Sequence, residues 1–291
     1  NVDAERIVCG AGSDELIGLL VRGYAGPGDE VLYSAHGFLM YRLAALAAGA
    51  HPVAAPEADL RADVDALLAR VTSRTRILFL ANPNNPTGSY LTEAELARLH
   101  AGLPDDVLLV IDAAYAEFVD APDYSPGQEL ALTCSNVVMC RTFSKLHGLA
   151  ALRLGWMVAG AEVVDVINRT RGPFNVGQPA QAAGIAALDD LDHQERARAH
   201  NRHWLPWLRN ALAALGLKVW PSVGNFLLVE FPSRRGVDAA AANAALEREG
   251  VLVREMGAYG LGHCLRITVG LEDENRRLVA ALEDFMRRVP G

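Results

Sequence analysis

Apolar residues recur along this chain in two rhythms. Short runs rich in β-branched and other apolar side chains stand at positions 6–9, 30–34, 51–54, 76–81, 107–112, 137–140 and 155–159. Between them, apolar positions fall three or four apart, as at 14–21, 41–48, 64–69 and 93–100. The first rhythm suits buried strands and the second amphipathic helices. Their alternation predicts an α/β fold with a mostly parallel sheet covered on both faces. The punctuation agrees. Ser13-Asp14-Glu15 offers a cap for the helix after it, Thr92 with Glu95 forms a capping box, and Gly49 and Gly102 stand where helices stop. From 184 to 215 the pattern is one long Ala- and Arg-rich helical region, expected to break near Pro206. Strand-like runs follow at 217–220, 225–231, 251–254 and 264–269, flanked by helical stretches at 237–249 and 272–289. This organisation predicts a large domain over residues 1–185 and a smaller α+β domain over 186–291 that begins with the long linking helix.

Composition narrows the classes. Hydrophobic residues make up 51% of the chain and charged residues 21%, the balance of a globular protein. The net charge is -8 and no Lys/Arg stripe is present to neutralise phosphates, which argues against a nucleic-acid binder. No apolar run approaches the roughly 20 residues of a membrane helix. No signal peptide is visible, and a cytoplasmic location is expected. Cys9, Cys134, Cys140 and Cys264 form no CxxC pair, and no His cluster stands at zinc spacing. They read as reduced thiols, and no metal is expected. Residues 1–6 read as a surface turn feeding Ile7-Val8-Cys9. They have the character of a chain interior, so an upstream segment is expected to be missing.

Candidate chemistry begins at Lys145, in the segment Arg141-Thr142-Phe143-Ser144-Lys145 that follows an apolar run. A lysine amine can form a Schiff base with an aldehyde cofactor. Thr142, Ser144 and Arg153, eight residues beyond the lysine, then suit the cofactor's phosphate, the arginine by planar bidentate contact. A solvated loop lysine is the other reading of this segment. Asn82-Pro83-Asn84-Asn85-Pro86-Thr87-Gly88 follows the run at 77–80 and forces a defined turn at a strand end. Ligands gather there in open α/β sheets, and Asn85 can donate to a phenolate oxygen. Asp112 ends another apolar run, with Tyr115 three residues on. It is open to two readings: a helix N-cap, or a buried carboxylate whose cationic partner is a pyridinium nitrogen. Gly10-Ala11-Gly12-Ser13-Asp14-Glu15 joins a strand to a helix and can turn backbone N–H groups toward an anion.

Taken in order, Asn-Pro-Thr-Gly at 85–88, Asp112 with Tyr115, and Ser144-Lys145 with Arg153 resemble the PLP-dependent fold-type-I aminotransferases. The segments at 12–17, 141–155, 171–176 and 264–270 are most similar to the histidinol-phosphate aminotransferase group. The resemblance runs from Arg6 to the C-terminus. It implies an aspartate-aminotransferase-like fold, pyridoxal 5'-phosphate as cofactor, a homodimer, and transfer of an amino group from a small-molecule donor to a 2-oxo acid. It implies Lys145 as the cofactor lysine and proton carrier, Asp112 as partner of the pyridinium, and Asn85 and Tyr115 on the phenolic oxygen. Gly12, Ser13, Asp14, Ser144, Arg153 and more weakly Thr142 would hold the phosphate. Phe38 stands where the family stacks a ring on the cofactor; a core phenylalanine is the other reading. Arg266 and Arg254 would grip the substrate's anionic end, although Arg254 also reads as a surface arginine, and Asn175 would line the pocket. The family's N-terminal arm, with a tyrosine that reaches the neighbouring subunit's cofactor phosphate, has no counterpart here. Ala151 and Gly177 replace residues usual in the group.

The resulting expectation is histidinol-phosphate:2-oxoglutarate transamination. Related readings are aromatic amino acid transamination, decarboxylation of threonine phosphate, and a truncated chain with impaired activity. A dinucleotide oxidoreductase is disfavoured because the first strand–helix turn lacks the required glycine spacing.

Overall fold

The computed structural model describes residues 2–234 and 236–288, without the side chain of residue 288; the expected helix end at Val289 lies outside the described residues. The chain divides into two compact units, one of Asn1–Asn85 with Ser89–Glu195, the other of Pro86–Gly88 with Arg196–Gly291.

The first unit is built on strands β1 (Ile7–Gly10), β2 (Glu30–Ser34), β3 (His51–Ala55), a small hairpin of β4 (Glu57–Ala58) and β5 (Arg61–Ala62), β6 (Thr75–Ala81), β7 (Leu108–Asp112), β8 (Val137–Thr142) and β9 (Gly155–Val158). Its helices are α1 (Ser13–Tyr24), α2 (Leu39–Ala47), α3 (Val64–Leu68), α4 (Glu93–Ala101), α5 (Gln128–Thr133), α6 (Ala161–Thr170) and α7 (Gln178–Asp189). Seven strands form one sheet in the order β1-β9-β8-β7-β6-β2-β3, parallel except where β9 meets β8 and β1. The mostly parallel sheet expected from the apolar runs is thus present.

Alternation along the central strands distributes side chains to two cores. In β6 and β7, Ile77, Phe79, Ala81, Leu108 and Val110 join the cluster that includes α1, α2 and α6. Leu78, Leu80, Leu109 and Ile111 join the cluster that includes α3, α4 and α5. Burial on both faces explains why these strands read as unbroken apolar runs.

The Thr92–Glu95 capping box forms as expected: the Glu95 amide donates to Thr92 Oγ1, and the Thr92 amide to Glu95 Oε2. Glu95 also takes an ion pair from Arg61, whose Nε donates to the Tyr90 carbonyl at 2.8 Å, so the hairpin is tied to α4. The Arg61 hydrogen bond, against the effect of burial and with help from Thr92, holds the Glu95 carboxyl near 2, below its ordinary 4.5. The sign follows: this stability is present above pH 4.5 and is lost as pH falls toward 2. Glu95→Gln is therefore expected to destabilise the protein at neutral pH by on the order of 1–2 kcal/mol, after allowance for solvent screening. It should also flatten the acid limb of stability. Urea unfolding at pH 7 and pH 3 tests both.

Other sequence expectations need correction. Ser13-Asp14-Glu15 does not cap α1; Gly12 is its N-cap, at φ 84°, and no side chain caps the first turn. The long helical region breaks at Asp190 rather than Pro206. Asp190 accepts the His193 amide at 2.9 Å and starts α8 (Leu191–Ala214), which continues through Pro206. Proline removes one backbone bond there, while buried Trp204, Leu208 and Leu212 anchor the helix on either side.

α8 carries the chain into the second unit, which holds α9 (Ala239–Arg248), α10 (Glu272–Arg288) and a four-stranded sheet. Its strands β10 (Lys218–Val219), β11 (Phe226–Glu230), β12 (Arg254–Glu255) and β13 (Cys264–Thr268) pair antiparallel in the order β10-β11-β13-β12. The run at 251–254 begins to pair only at Arg254, because Val251 and Val253 pack into this unit's core instead. Among the described residues no helix is long and apolar enough to cross a membrane.

Candidate active site

The carboxyl ends of β6, β7 and β8 lie side by side, and each is followed by a loop carrying polar residues. Together with the turn from β1 to α1 they bound a cavity of about 170 Å³. Ser13, Asp14, Phe38, Asn85, Asp112, Tyr115, Thr142, Ser144, Lys145 and Arg153 all line it, joined by Ala81, Pro83, Ala114 and Ala150. This is the edge of an open α/β sheet where ligand crevices form.

The cavity floor is Asp112, 5% exposed. Its Oδ2 accepts from the Tyr41 hydroxyl at 2.9 Å and its Oδ1 from the Ala114 amide at 3.3 Å. Burial pushes its pKa up to about 6; the Tyr41 and Ala114 hydrogen bonds and the Lys145 charge pull down, while Asp14 adds to the rise. Asp112 therefore does not act as an exposed helix cap; it is a desolvated carboxylate at a strand end, a state that favours a cationic partner. In the same cavity, the Lys145 ammonium stands 5.0 Å from the centre of the Tyr115 ring.

At the anion-receptive end, α1 presents its uncapped first turn. Arg153, itself in a left-handed backbone conformation at φ 54°, lies against Gly12. A Cβ at Gly12 would stand 2.3 Å from the guanidinium, which would have to swing aside, and the positive φ itself favours glycine. Arg153 also donates to the Ala150 carbonyl at 3.0 Å and meets Asp14 at 3.4 Å. The Thr142 hydroxyl accepts the Ser144 amide at 3.1 Å and donates to the Leu154 carbonyl at 3.4 Å. It therefore shapes the loop that carries Ser144 and Lys145.

The remaining wall is held from behind. Asn84 Nδ2 donates to the His36 carbonyl at 3.1 Å, tying the Asn-rich loop to the segment that presents Phe38. The His36 amide in turn donates to Glu57 at 2.9 Å. Asn82 and Leu91 exchange hydrogen bonds at 2.7 and 3.2 Å, which pins the start of the same loop.

Three expected residues lie elsewhere. Asn175 does not line this cavity. Its Nδ2 donates to Glu15 at 2.7 Å and to the Cys9 carbonyl at 3.3 Å. It borders a larger, mainly apolar cavity of about 980 Å³ with Trp156, Phe174 and Ile185. Arg254 and Arg266 belong to the second unit, where they are directly opposite across β12 and β13. The Arg266 guanidinium also sits 5.0 Å from the Phe226 ring centre. Like charges directly opposite are unfavourable in a sheet, and an anion between them reverses the sign. Sequence reading missed Tyr41, although its place three residues after Phe38 on α2 was a usable signal.

Comparison with known proteins bears on this geometry. The family described as aminotransferase class I and II matches residues 1–282. A histidinol-phosphate aminotransferase of Paramagnetospirillum magneticum is 63% identical over 285 residues, 98% of this chain and 78% of the relative. Among solved structures, the histidinol-phosphate aminotransferase of Sinorhizobium meliloti in complex with pyridoxal-5'-phosphate superposes with TM-score 0.89 at 32% identity, covering 97% of this chain and 77% of that one. An aspartate aminotransferase of Thermus thermophilus, at 24% identity and TM-score 0.83 over 99% of this chain and 81% of that one, shares the fold.

Proposed function

Because the chain belongs to the class I and II aminotransferase family, we propose that it transfers the amino group of histidinol phosphate to 2-oxoglutarate, with pyridoxal 5'-phosphate as cofactor. The observation that carries this reading is the meeting of Lys145 and buried Asp112 in one cavity at the ends of adjacent strands.

The residues present fit the cofactor. A buried carboxylate suits a protonated ring nitrogen, and the α1 turn with Arg153 suits a phosphate. When bound, the cofactor's ring draws electrons from the substrate carbon that loses its proton. The rest is done by the chain. Asp112 keeps the ring nitrogen protonated. Asn85 and Tyr115 would hold the phenolic oxygen, and Phe38 would cover the ring. The first-turn amides of α1 with Ser13, Ser144 and Arg153 hold the phosphate, Asp14 steadies Arg153, and Thr142 braces the Ser144 loop. Lys145 Nζ would anchor the cofactor and carry the proton lost from the substrate carbon.

Histidinol phosphate carries no carboxylate, whereas 2-oxoglutarate carries two. Paired Arg254 and Arg266 suit both a phosphate and a carboxylate. Asn175, held by Glu15, is given no substrate contact. The same reading includes a homodimer and a cytoplasmic location.

Steady-state rates test the substrate. With 2-oxoglutarate as acceptor, kcat/KM for histidinol phosphate is expected to exceed that for phenylalanine by at least roughly 100-fold, since buried polar groups left unpaired discriminate strongly. Equal rates, or a preference for phenylalanine, would replace this assignment with aromatic transamination.

A further inference from the structure

We propose that Tyr41 is a positioning residue whose hydroxyl fixes the rotamer and the ionised state of Asp112, and through it controls how tightly the cofactor's ring is held. The inference rests on the cofactor reading above. It starts from strand parity. Asp112 follows Leu108 and Val110 by steps of two, so its side chain leaves β7 on the face covered by α1 and α2. Tyr41 reaches it from α2. The phenol is fully buried, lies parallel to the Phe79 ring with centroids 4.5 Å apart, and meets Phe38 edge-on at 5.8 Å. One short helix thus presents two aromatic groups to the cavity floor. Phe38 faces the cavity itself, and Tyr41 ends on Asp112 Oδ2 at 2.9 Å.

The chemistry of that contact is directional. An ionised carboxylate accepts a phenol hydrogen bond strongly, and a protonated one accepts it weakly. The hydroxyl therefore favours the charged form of a group that burial drives toward neutrality. It also occupies one carboxylate oxygen, which leaves the rotamer no freedom to turn. Other groups around Asp112 act on the same charge. Lys145 favours it and Asp14 opposes it, Cys140 and Tyr124 both feel it, and Tyr33 touches Tyr41 from β2. Cys140 stands in register with it on β8, and Tyr115 follows in its own loop. Among these, Tyr41 donates a side-chain hydrogen bond to the carboxylate itself, at 2.9 Å.

Tyr41→Phe keeps the stack on Phe79 and removes one oxygen. Binding of pyridoxine 5'-phosphate, which carries the ring nitrogen and phosphate without an aldehyde, is to be measured by calorimetry from pH 5 to 9 on wild type, Tyr41→Phe, Asp112→Asn and the double variant. The expected result is an affinity for Tyr41→Phe about 10-fold weaker at pH 7 or more, with the pH midpoint of binding displaced upward. In the Asp112→Asn background the same substitution should change nothing, because the charge it supports is gone. Phe79→Leu, which loosens the stack but keeps the hydroxyl, should lower the melting temperature without displacing the midpoint. An unchanged midpoint in Tyr41→Phe, or an equal loss at every pH that persists beside Asp112→Asn, overturns the proposal. Wild type that fails to bind the probe overturns the cofactor reading instead.

Discussion

Lys145→Ala is expected to give a folded protein that leaves the absorption band of added pyridoxal phosphate where the free aldehyde has it, and whose transamination rate falls to background. Lys145 is only half-buried and its contact with the Tyr115 ring is modest, so the melting temperature should move by no more than a few degrees. The chemical loss is far larger. Proton transfer by a positioned group contributes roughly 100- to 10,000-fold. The covalent anchor that holds the cofactor against Asp112 disappears with the same side chain. Absorbance titration and single-turnover kinetics read the two losses separately. A variant that turns over at the normal rate would remove Lys145, and with it the whole assignment, from the chemistry.

Asp112→Asn should have opposite effects on function and stability. Breaking a buried charged pair typically costs several kcal/mol, so the cofactor's affinity is expected to fall by roughly 100- to 1,000-fold. Without cofactor, the sign reverses. Burial raises the carboxyl from 3.8 to about 6, so the native state binds more protons than the unfolded chain between those values. Stability from this group is whole below pH 3.8 and is lost as pH climbs toward 6. The gap is worth roughly 3 kcal/mol at neutral pH. The cofactor-free Asn variant, which cannot ionise, should therefore be more stable than wild type at pH 7 and should lack the slope between pH 4 and 6. Urea midpoints at the two ends of that range decide the matter; a variant less stable at pH 7 would mean that Asp112 is already satisfied without a cation. On the expected result, the protein sacrifices stability in the empty state to bind its cofactor, as sites with buried charge commonly do.

These two residues were readable from sequence for a physical reason. Strands buried on both faces are continuous apolar runs, so a charge at the end of such a run is conspicuous. β7 ends in Asp112, and β8 runs into Ser144-Lys145. The capping box at Thr92 was legible because it is wholly local. What escaped depends on packing between distant segments. Tyr41 and Asp112 are 71 residues apart, and the spacing of Tyr41 from Phe38 places it on the same side of α2 without saying which strand its phenol will meet. Asn175 is drawn away by Glu15, 160 residues earlier. Pro206 carries a strong local signal, but burial of its neighbours outweighs it. The start of β12 shifted for a related reason: Val251 and Val253 are as suited to a core as to a strand, and the core took them.

The alternation in β7 has a consequence for how this chain can change. Asp112 meets Tyr41 only because an even number of steps separates it from Leu108 and Val110. A single residue inserted or deleted within the strand would send the carboxylate to the α3–α4 side, into the apolar cluster of Leu80, Leu109 and Ile111. Two residues would restore the face but carry the group roughly 7 Å along the strand, beyond reach of the phenol. β7 is therefore constrained in length more tightly than in content: its leucines and valines can be exchanged for one another, while its residue count is fixed by a single bond at its end.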